Sequence, residues 1–374
     1  MQGESQTFAA TAARGVEENN PGRPGTGSQW MDWFQQLTGF KEPAGAAGRE
    51  AIHRHLEVDG EHLKSRLTGQ QFGIGQLELV SLNELRERAL SGPTLGGERS
   101  FRVIRGDARA LHAQPDNVGA VFQVASQFNL LEMTAPDVTP DHGVTGYAGD
   151  HTQGPACAIA AGAATIYRNY FAPVDGKLGQ TAGRQLDGFA ELGASIAQAL
   201  SRTAAELWTM RNGYAMFSAD GIALMSGQVQ ALDDSGRDAL RQHLRIGMHW
   251  DVEVTEGTTS PGPLVSQAFC SALPVHYHHF AGTNSANWAP LATLVLEAAY
   301  EATLWAAVVN AQRGAACKVL LTSLGGGAFG NDERWIRDAM ARAIEAVEGH
   351  GLEIVLVSFD EPSPELTRWV AAQV

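Results

Sequence analysis

Cysteine is scarce in this chain. Its three residues, Cys157, Cys270 and Cys317, are odd in number and sit in apolar runs, so a disulfide framework is not expected and buried free thiols are. Positive charge is short as well: 27 Lys and Arg face 41 Asp and Glu, a formal charge of -14. A general nucleic-acid surface needs clustered Lys and Arg to replace phosphate counterions, so no nucleic-acid partner is expected. No stretch reaches the roughly 18 consecutive apolar residues of a membrane span. The first residues lack the charged-then-apolar order of a signal peptide. The expected setting is therefore reducing and cytoplasmic, without a membrane partner; delivery into another cell by a specialised secretion route would leave no mark of this kind.

What the chain does have is enough apolar residue for a sizeable core: 374 residues, 44% hydrophobic and 18% charged, suffice for one large domain or two ordinary ones. Residues 1–28 are rich in Gly, Ala, Ser, Asn and charge and nearly devoid of large apolar groups, which predicts a disordered tail. Residues 29–99 read as an N-terminal extension: Trp30, Trp33, Phe34 and Leu37 recur at helical spacing, a helical stretch lies near Gly48–Leu56, and short strands around Gln70–Val80 precede a helix at Leu82–Leu90.

From residue 100 to 374 strand and helix patterns alternate. Strands are expected at Ser100–Ile104, Val118–Val124, Leu264–Leu273, Lys318–Ser323 and Leu352–Val357, and helices at Gln153–Tyr170, Ala289–Ala311 and Asp332–Val347. An insertion over about 177–259 holds an apolar helical period at Leu186–Leu207, a hairpin at Tyr214–Gly227 turning on Asp220-Gly221, and a helix near Arg237–Leu244. The alternation implies a three-layer α/β/α fold around a mixed sheet.

The glycine-rich turn Leu324-Gly325-Gly326-Gly327-Ala328-Phe329-Gly330 follows a strand and precedes a helix. Glycines let main-chain N–H groups approach an anion, and a helix start adds its positive end, so the expected ligand is phosphorylated. Gly325, Gly327 and Gly330 also satisfy G-x-G-x-x-G. A dinucleotide fold, however, places that turn after its first strand, and only about 44 residues follow here. A purely structural turn is the remaining alternative.

Four further constellations stand out. Gly106-Asp107 ends a strand, where Asp serves as a helix cap or a ligand contact. Val121–Asn129 passes from apolar residues to Gln127, Phe128 and Asn129 at a strand end, a position suited to binding sugar hydroxyls or to a simple polar turn. The stretch from Glu132 to Gly154 carries Glu132, Asp137, Asp141 and Asp150 among glycines, offering carboxylates for acid–base work; Asp150 also reads as a helix cap. Finally, His276-Tyr277-His278-His279 raises the idea of a metal site, but no further ligands stand at standard spacing, and a polar turn near a pocket rim is the expectation.

Taken in order, these segments resemble a macrodomain, the fold that binds ADP-ribose. Ser126–Glu132, Asp150-His151-Thr152-Gln153-Gly154-Pro155 and Val265–Pro274 are similar to the MavL-like macrodomain ADP-ribosylhydrolases, relatives of the poly(ADP-ribose) glycohydrolases that act on ADP-ribosylated arginine. The resemblance spans roughly 101–359. It implies that Asp107 bonds the adenine amino group, that Gln127, Phe128 and Asn129 lie near the distal ribose, and that Gly325, Gly326, Gly327, Ala328, Phe329 and Gly330 cradle the diphosphate, with Phe329 against that ribose. It further implies a glycosidase that needs no cofactor or metal, with ADP-ribose and an ADP-ribosylated protein as its partners. The sequence departs from the pattern in carrying Ser-Gln-Phe-Asn at the strand end, and Asp150-His151 where the polymer-cleaving enzymes have paired glutamates. The catalytic work therefore falls to Asp150, Asp141 and Glu132. A non-catalytic reader of ADP-ribose is the alternative class.

Overall fold

The computed structural model describes residues 32–278 and 285–373. The tail expected over 1–28, Trp30 and His279 lie outside them. Seven strands form the central sheet: β1 (Gln76–Ser81), β2 (Ser100–Arg105), β3 (Val121–Ala125), β4 (Arg245–Glu253), β5 (Leu264–Cys270), β6 (Lys318–Leu321) and β7 (Glu353–Ser358). Their order is β1-β4-β5-β3-β6-β7-β2. β5, β3, β6, β7 and β2 run parallel, while β4 is antiparallel to both β1 and β5.

Alternation along the strands produces three layers. Val121, Ala268, Cys270, Val319, Leu321, Ile354 and Leu356 join one core with the helices Leu82–Ser91, Ala219–Ala231, Ser285–Gln312 and Glu333–Ala346. Phe122, Leu320 and Val355 face the opposite way onto Ala161 and Ala164, and Val124 and Phe269 onto Cys157. β3 is buried on both faces and reads as an apolar run broken only by Gln123, whereas the edge strand β2 exposes Arg102 and Arg105 and is blunted by them.

The sheet draws on all three sequence regions: β1 comes from the 29–99 extension and β4 from the 177–259 stretch. The extension also contributes the helix Trp33–Thr38, capped by Asp32 and ended by Gly39 in the left-handed region, whose Phe34 is wholly buried.

Local corrections have identifiable causes. The helix expected at Gln153–Tyr170 breaks at Ala161, where the Thr255 hydroxyl accepts the Gly162 N–H and Ala160 O accepts the Thr255 N–H. The helix expected over Leu186–Leu207 is two helices, Ala190–Ala199 and Ala204–Leu207, parted at Ser201 with φ 53°. The hairpin is not at Asp220-Gly221. It pairs Trp208–Arg211 with Tyr214–Phe217 around Asn212-Gly213, both at positive φ, and Ser218 then caps a helix that contains Asp220 and Gly221. One helix, Ala286–Gln312, is after all long and apolar enough by length and composition to cross a membrane, because its few polar residues are spread along it; most of it is buried inside the fold.

Candidate functional site

β6 pairs with β3 only through Val319–Val121 and Leu320–Phe122, after which the two strands part. Side chains complete what the ladder leaves open. Gln123 accepts the Thr322 N–H at 3.2 Å, while Gln153 accepts the Ala125 N–H at 2.9 Å and donates to Gln123 O at 2.7 Å. Gly154 follows so closely over the end of β3 that a methyl group there would strike the Ala125 carbonyl. The parting opens a cleft of about 240 Å³ at the carboxyl ends of β5, β3 and β6, the place where open α/β sheets bind ligands.

The glycine-rich turn forms one side of this cleft through Gly325, Gly327, Ala328 and Phe329. Buried side chains hold its base. The Tyr300 hydroxyl donates to Thr322 O at 2.6 Å and accepts the Leu324 N–H at 2.9 Å, and Asn331 donates to Leu273 O at 2.9 Å. Gly325 sits at φ 74° against the Ala272 side chain, where any larger residue would be strained and crowded. Among the described residues no acceptor pairs with the N–H groups of Gly325, Gly327, Ala328 or Phe329. They form a nest of donors for an anion. The following helix adds less than expected, because its own Asp332 caps it and accepts the Arg334 N–H at 2.8 Å.

Two carboxylates face the same cleft. Asp150 accepts the Thr152 N–H with Oδ1 at 2.8 Å, and its other oxygen has no partner among the described residues. Glu132 is 2% exposed. Burial raises its carboxyl to about 7, despite the opposing pull of the Arg168 guanidinium 3.3 Å away. Arg168, itself depressed by burial, also donates to Leu130 O at 3.1 Å and lies 3.9 Å from the centre of the Phe269 ring. It thereby braces the turn in which Leu130 adopts φ 63°.

Tyr214, Tyr277 and Phe329 complete the wall as a mutually packed set, with ring centres 5.3 Å apart for Tyr214–Tyr277 and Tyr214–Phe329 and 5.7 Å for Tyr277–Phe329. The Tyr214 hydroxyl donates to Met133 O at 2.6 Å and accepts from Gln127 at 3.4 Å, and Gln127 in turn accepts the Met133 N–H at 2.6 Å. The polar floor is thus fixed in place.

Of the residues singled out by sequence, the cleft gathers Gln127, Glu132, Asp150, Gly325, Gly327, Ala328 and Phe329. The others are placed elsewhere. Asp141 is engaged by Arg49 at 3.2 Å and by the Ala182 N–H at 2.9 Å, away from the cleft lining. Asn129 is wholly buried, accepting the Leu131 N–H and donating to Gln185, so it shapes the turn and stands outside the cleft lining. Phe128 is core, with its ring 5.2 Å from that of Phe189. Asp107 is an exposed cap on the helix Ala108–His112, outside the cleft lining, and Gly326 and Gly330 shape the loop from behind, Gly330 lying against the His276 ring. In the histidine cluster, His278 accepts the Phe217 N–H at 2.9 Å and contacts Pro274 O at 2.8 Å, which employs both ring nitrogens in packing the turn.

Sequence reasoning missed Tyr214 and Arg168, and it singled out the motifs holding Tyr277 and Gln153 without giving either residue a role in the site. The dipeptide Asn212-Gly213 was the available signal for the hairpin that delivers Tyr214. A lone Arg168 within the apolar run Gly162–Tyr170 was the signal for a buried ion pair.

No protein-family model matches the chain, and no curated protein matches it. Among solved structures it is similar to the poly(ADP-ribose) glycohydrolase of Thermomonospora curvata, at 13% identity over 88% of this chain and 97% of that one with a TM-score of 0.43. The same enzyme bound to the inhibitor ADP-HPD matches at 13% identity over 88% and 97% with a TM-score of 0.41. The poly(ADP-ribose) glycohydrolase of Deinococcus radiodurans in complex with ADP-ribose matches at 12% identity over 80% and 94%, with a TM-score of 0.42.

Proposed function

We propose that this chain is an ADP-ribosylhydrolase: it binds ADP-ribose in the cleft and cleaves the glycosidic bond at the distal ribose, releasing ADP-ribose from modified protein side chains, arginine foremost. The observation that carries this reading is that the main-chain donors of Gly325, Gly327, Ala328 and Phe329, without acceptors among the described residues, and a buried carboxyl at Glu132 open into one cavity. The donors suit a diphosphate, and the carboxyl suits proton transfer at the sugar to which it is attached.

In this scheme Phe329 supports the distal ribose and Gln127 and Asp150 order its surroundings. Glu132, protonated near neutral pH, gives its proton to the departing guanidine nitrogen as the C–N bond breaks and its electron pair moves to that nitrogen. A water molecule adds to the anomeric carbon of the oxocarbenium-like centre, and its proton passes to Asp150. The products are ADP-ribose and unmodified arginine. Support for arginine lies in the company of Asp150 with the faces of Tyr214 and Tyr277, an arrangement that favours a planar cation, and in the MavL-like motifs.

The test is release of free ADP-ribose from a protein ADP-ribosylated on arginine, set beside serine-linked and polymeric substrates and the Glu132→Gln and Asp150→Ala variants. Turnover of the arginine linkage that both variants abolish is expected. Tight ADP-ribose binding without turnover of any linkage would make the chain a reader; turnover of polymer alone would remove the arginine assignment.

A further inference from the structure

We propose that a second groove, on the far side of the Asn212-Gly213 turn from the cleft, docks an acidic segment of the protein that carries the modified residue. This rests on the hydrolase reading above and extends it to the substrate's flanking chain. The groove measures about 410 Å³ and lies between Thr139, residues 182–187 and residues 210–212. It shares two walls with the cleft: Thr134 and Thr139 belong to one loop, and Tyr214 and Asn212 to one hairpin. Asn212 donates to Pro136 O at 2.8 Å and fastens the two walls together. Gln185 donates to Asn212 at 2.9 Å and accepts from Asn129 at 2.8 Å, so the groove floor is tied to the turn that aims Glu132. In this proposal, residues flanking a modified residue held in the cleft would lie along this groove.

Charge identifies the occupant. In a chain of net charge -14, Arg184 and Arg211 line the groove without a carboxylate partner among the described residues. Arg184 is anchored by donating to Leu178 O and Gly179 O at 3.1 and 2.9 Å, and its Nε is buried and unpaired. Arg211 is exposed. The one carboxylate present, Asp187, is turned inward to the Phe189 N–H at 2.9 Å. No aromatic side chain lines the groove, which removes the stacking platform that further nucleotides of an ADP-ribose polymer would use. Carboxylates of a peptide fit two arginines without such a platform.

Fluorescence anisotropy tests this with two labelled peptides bearing one ADP-ribosylated arginine, flanked in one by Glu and Asp and in the other by Ser and Gly, with unmodified copies of each. The acidic modified peptide should bind roughly tenfold more tightly than the neutral one at low salt, and Arg211→Glu or Arg184→Glu should erase that difference while leaving the affinity for ADP-ribose itself unchanged. Arg211→Glu alone suffices should Arg184→Glu disturb the 178–179 anchorage. Equal binding of the two modified peptides by the native chain would overturn the proposal, as would variants that weaken an ADP-ribose oligomer but not the acidic peptide. If neither modified peptide binds, the cleft reading has failed, and the unmodified pair then judges the groove alone: a preference for the acidic copy that the variants erase supports it, and none overturns it.

Discussion

Arg168 grips Glu132 from beneath the cleft, with Nη2 3.3 Å from one carboxylate oxygen and 3.4 Å from the other, both side chains being shut off from solvent. The same nitrogen donates to Thr165 at 3.1 Å, and Nε holds Leu130 O. Without Arg168 the Glu132 carboxyl holds its proton, so the loss is that of the hydrogen bonds Arg168 makes, roughly 1–3 kcal/mol. Arg168→Met is therefore expected to lower stability by about that much in denaturant unfolding. Arg168→Met combined with Glu132→Gln should be less unstable than the two single effects added together.

The elevated Glu132 carboxyl gives a pH dependence of definite sign. As the proposed proton donor it would act when protonated, so turnover should fall as pH rises through about 7, and Glu132→Gln should remove activity across the range. Stability moves in the same direction. A carboxyl that holds its proton more tightly when folded than when unfolded contributes most below the unfolded value, and that contribution is lost as pH rises to about 7. Unfolding curves at pH 5 and pH 8 should show the native chain losing stability that Glu132→Gln retains.

Phe329 and Tyr214 offer apolar faces to the cleft, and Tyr214 also fastens Met133. Phe329→Ala is expected to weaken ADP-ribose about tenfold by calorimetry with little change in melting temperature, since Phe329 is only partly buried. Tyr214→Phe, by contrast, keeps the ring and drops the hydrogen bond to Met133, so its loss should fall on stability, about 1 kcal/mol.

Gly325→Ala meets two obstacles at once, a positive φ and the Ala272 side chain. Distortion of the donor nest should cost ADP-ribose affinity more than tenfold, whereas Gly327→Ala, with open space at its Cβ, should cost less. Titration calorimetry on the two variants separates them.

Asp141→Asn should leave ADP-ribose affinity unchanged while loosening the contact to Arg49, a separation that binding and melting measurements on one sample would reveal. An equal loss of affinity for Asp141→Asn and Asp150→Asn would place Asp141 back at the ligand.

Much of the scaffold was legible because its signals are local. The apolar runs of β3, β6 and β7 marked buried parallel strands, and the glycines after β6 marked a turn. The abrupt change at Gln127 located a strand end but not which of its polar residues meets the cleft. Leu130 takes a left-handed conformation there, so Asn129 points into the fold while Gln127 and Glu132 line the cleft, and no spacing rule for a strand or helix contains that turn. Arg168 and Tyr214 lie 36 and 82 residues beyond Glu132 in the chain; the helix Gly162–Tyr170 brings the first to Glu132 and the hairpin brings the second to the adjoining Met133. Asp141 looked equivalent to Asp150 as a carboxylate in a glycine-rich loop; the difference is Arg49, from the N-terminal extension.

Gln153 has a wider meaning. A single amide supplies two rungs where β3 loses its neighbour, so the base of the cavity is a gap in a hydrogen-bonded sheet, with loops forming the walls above it. Its width is set by the stiffest part of the molecule. A ligand therefore finds the receptor already shaped, little ordering entropy is lost on docking, and association should be fast and single-phase, with differences between ligands expressed in their rates of departure.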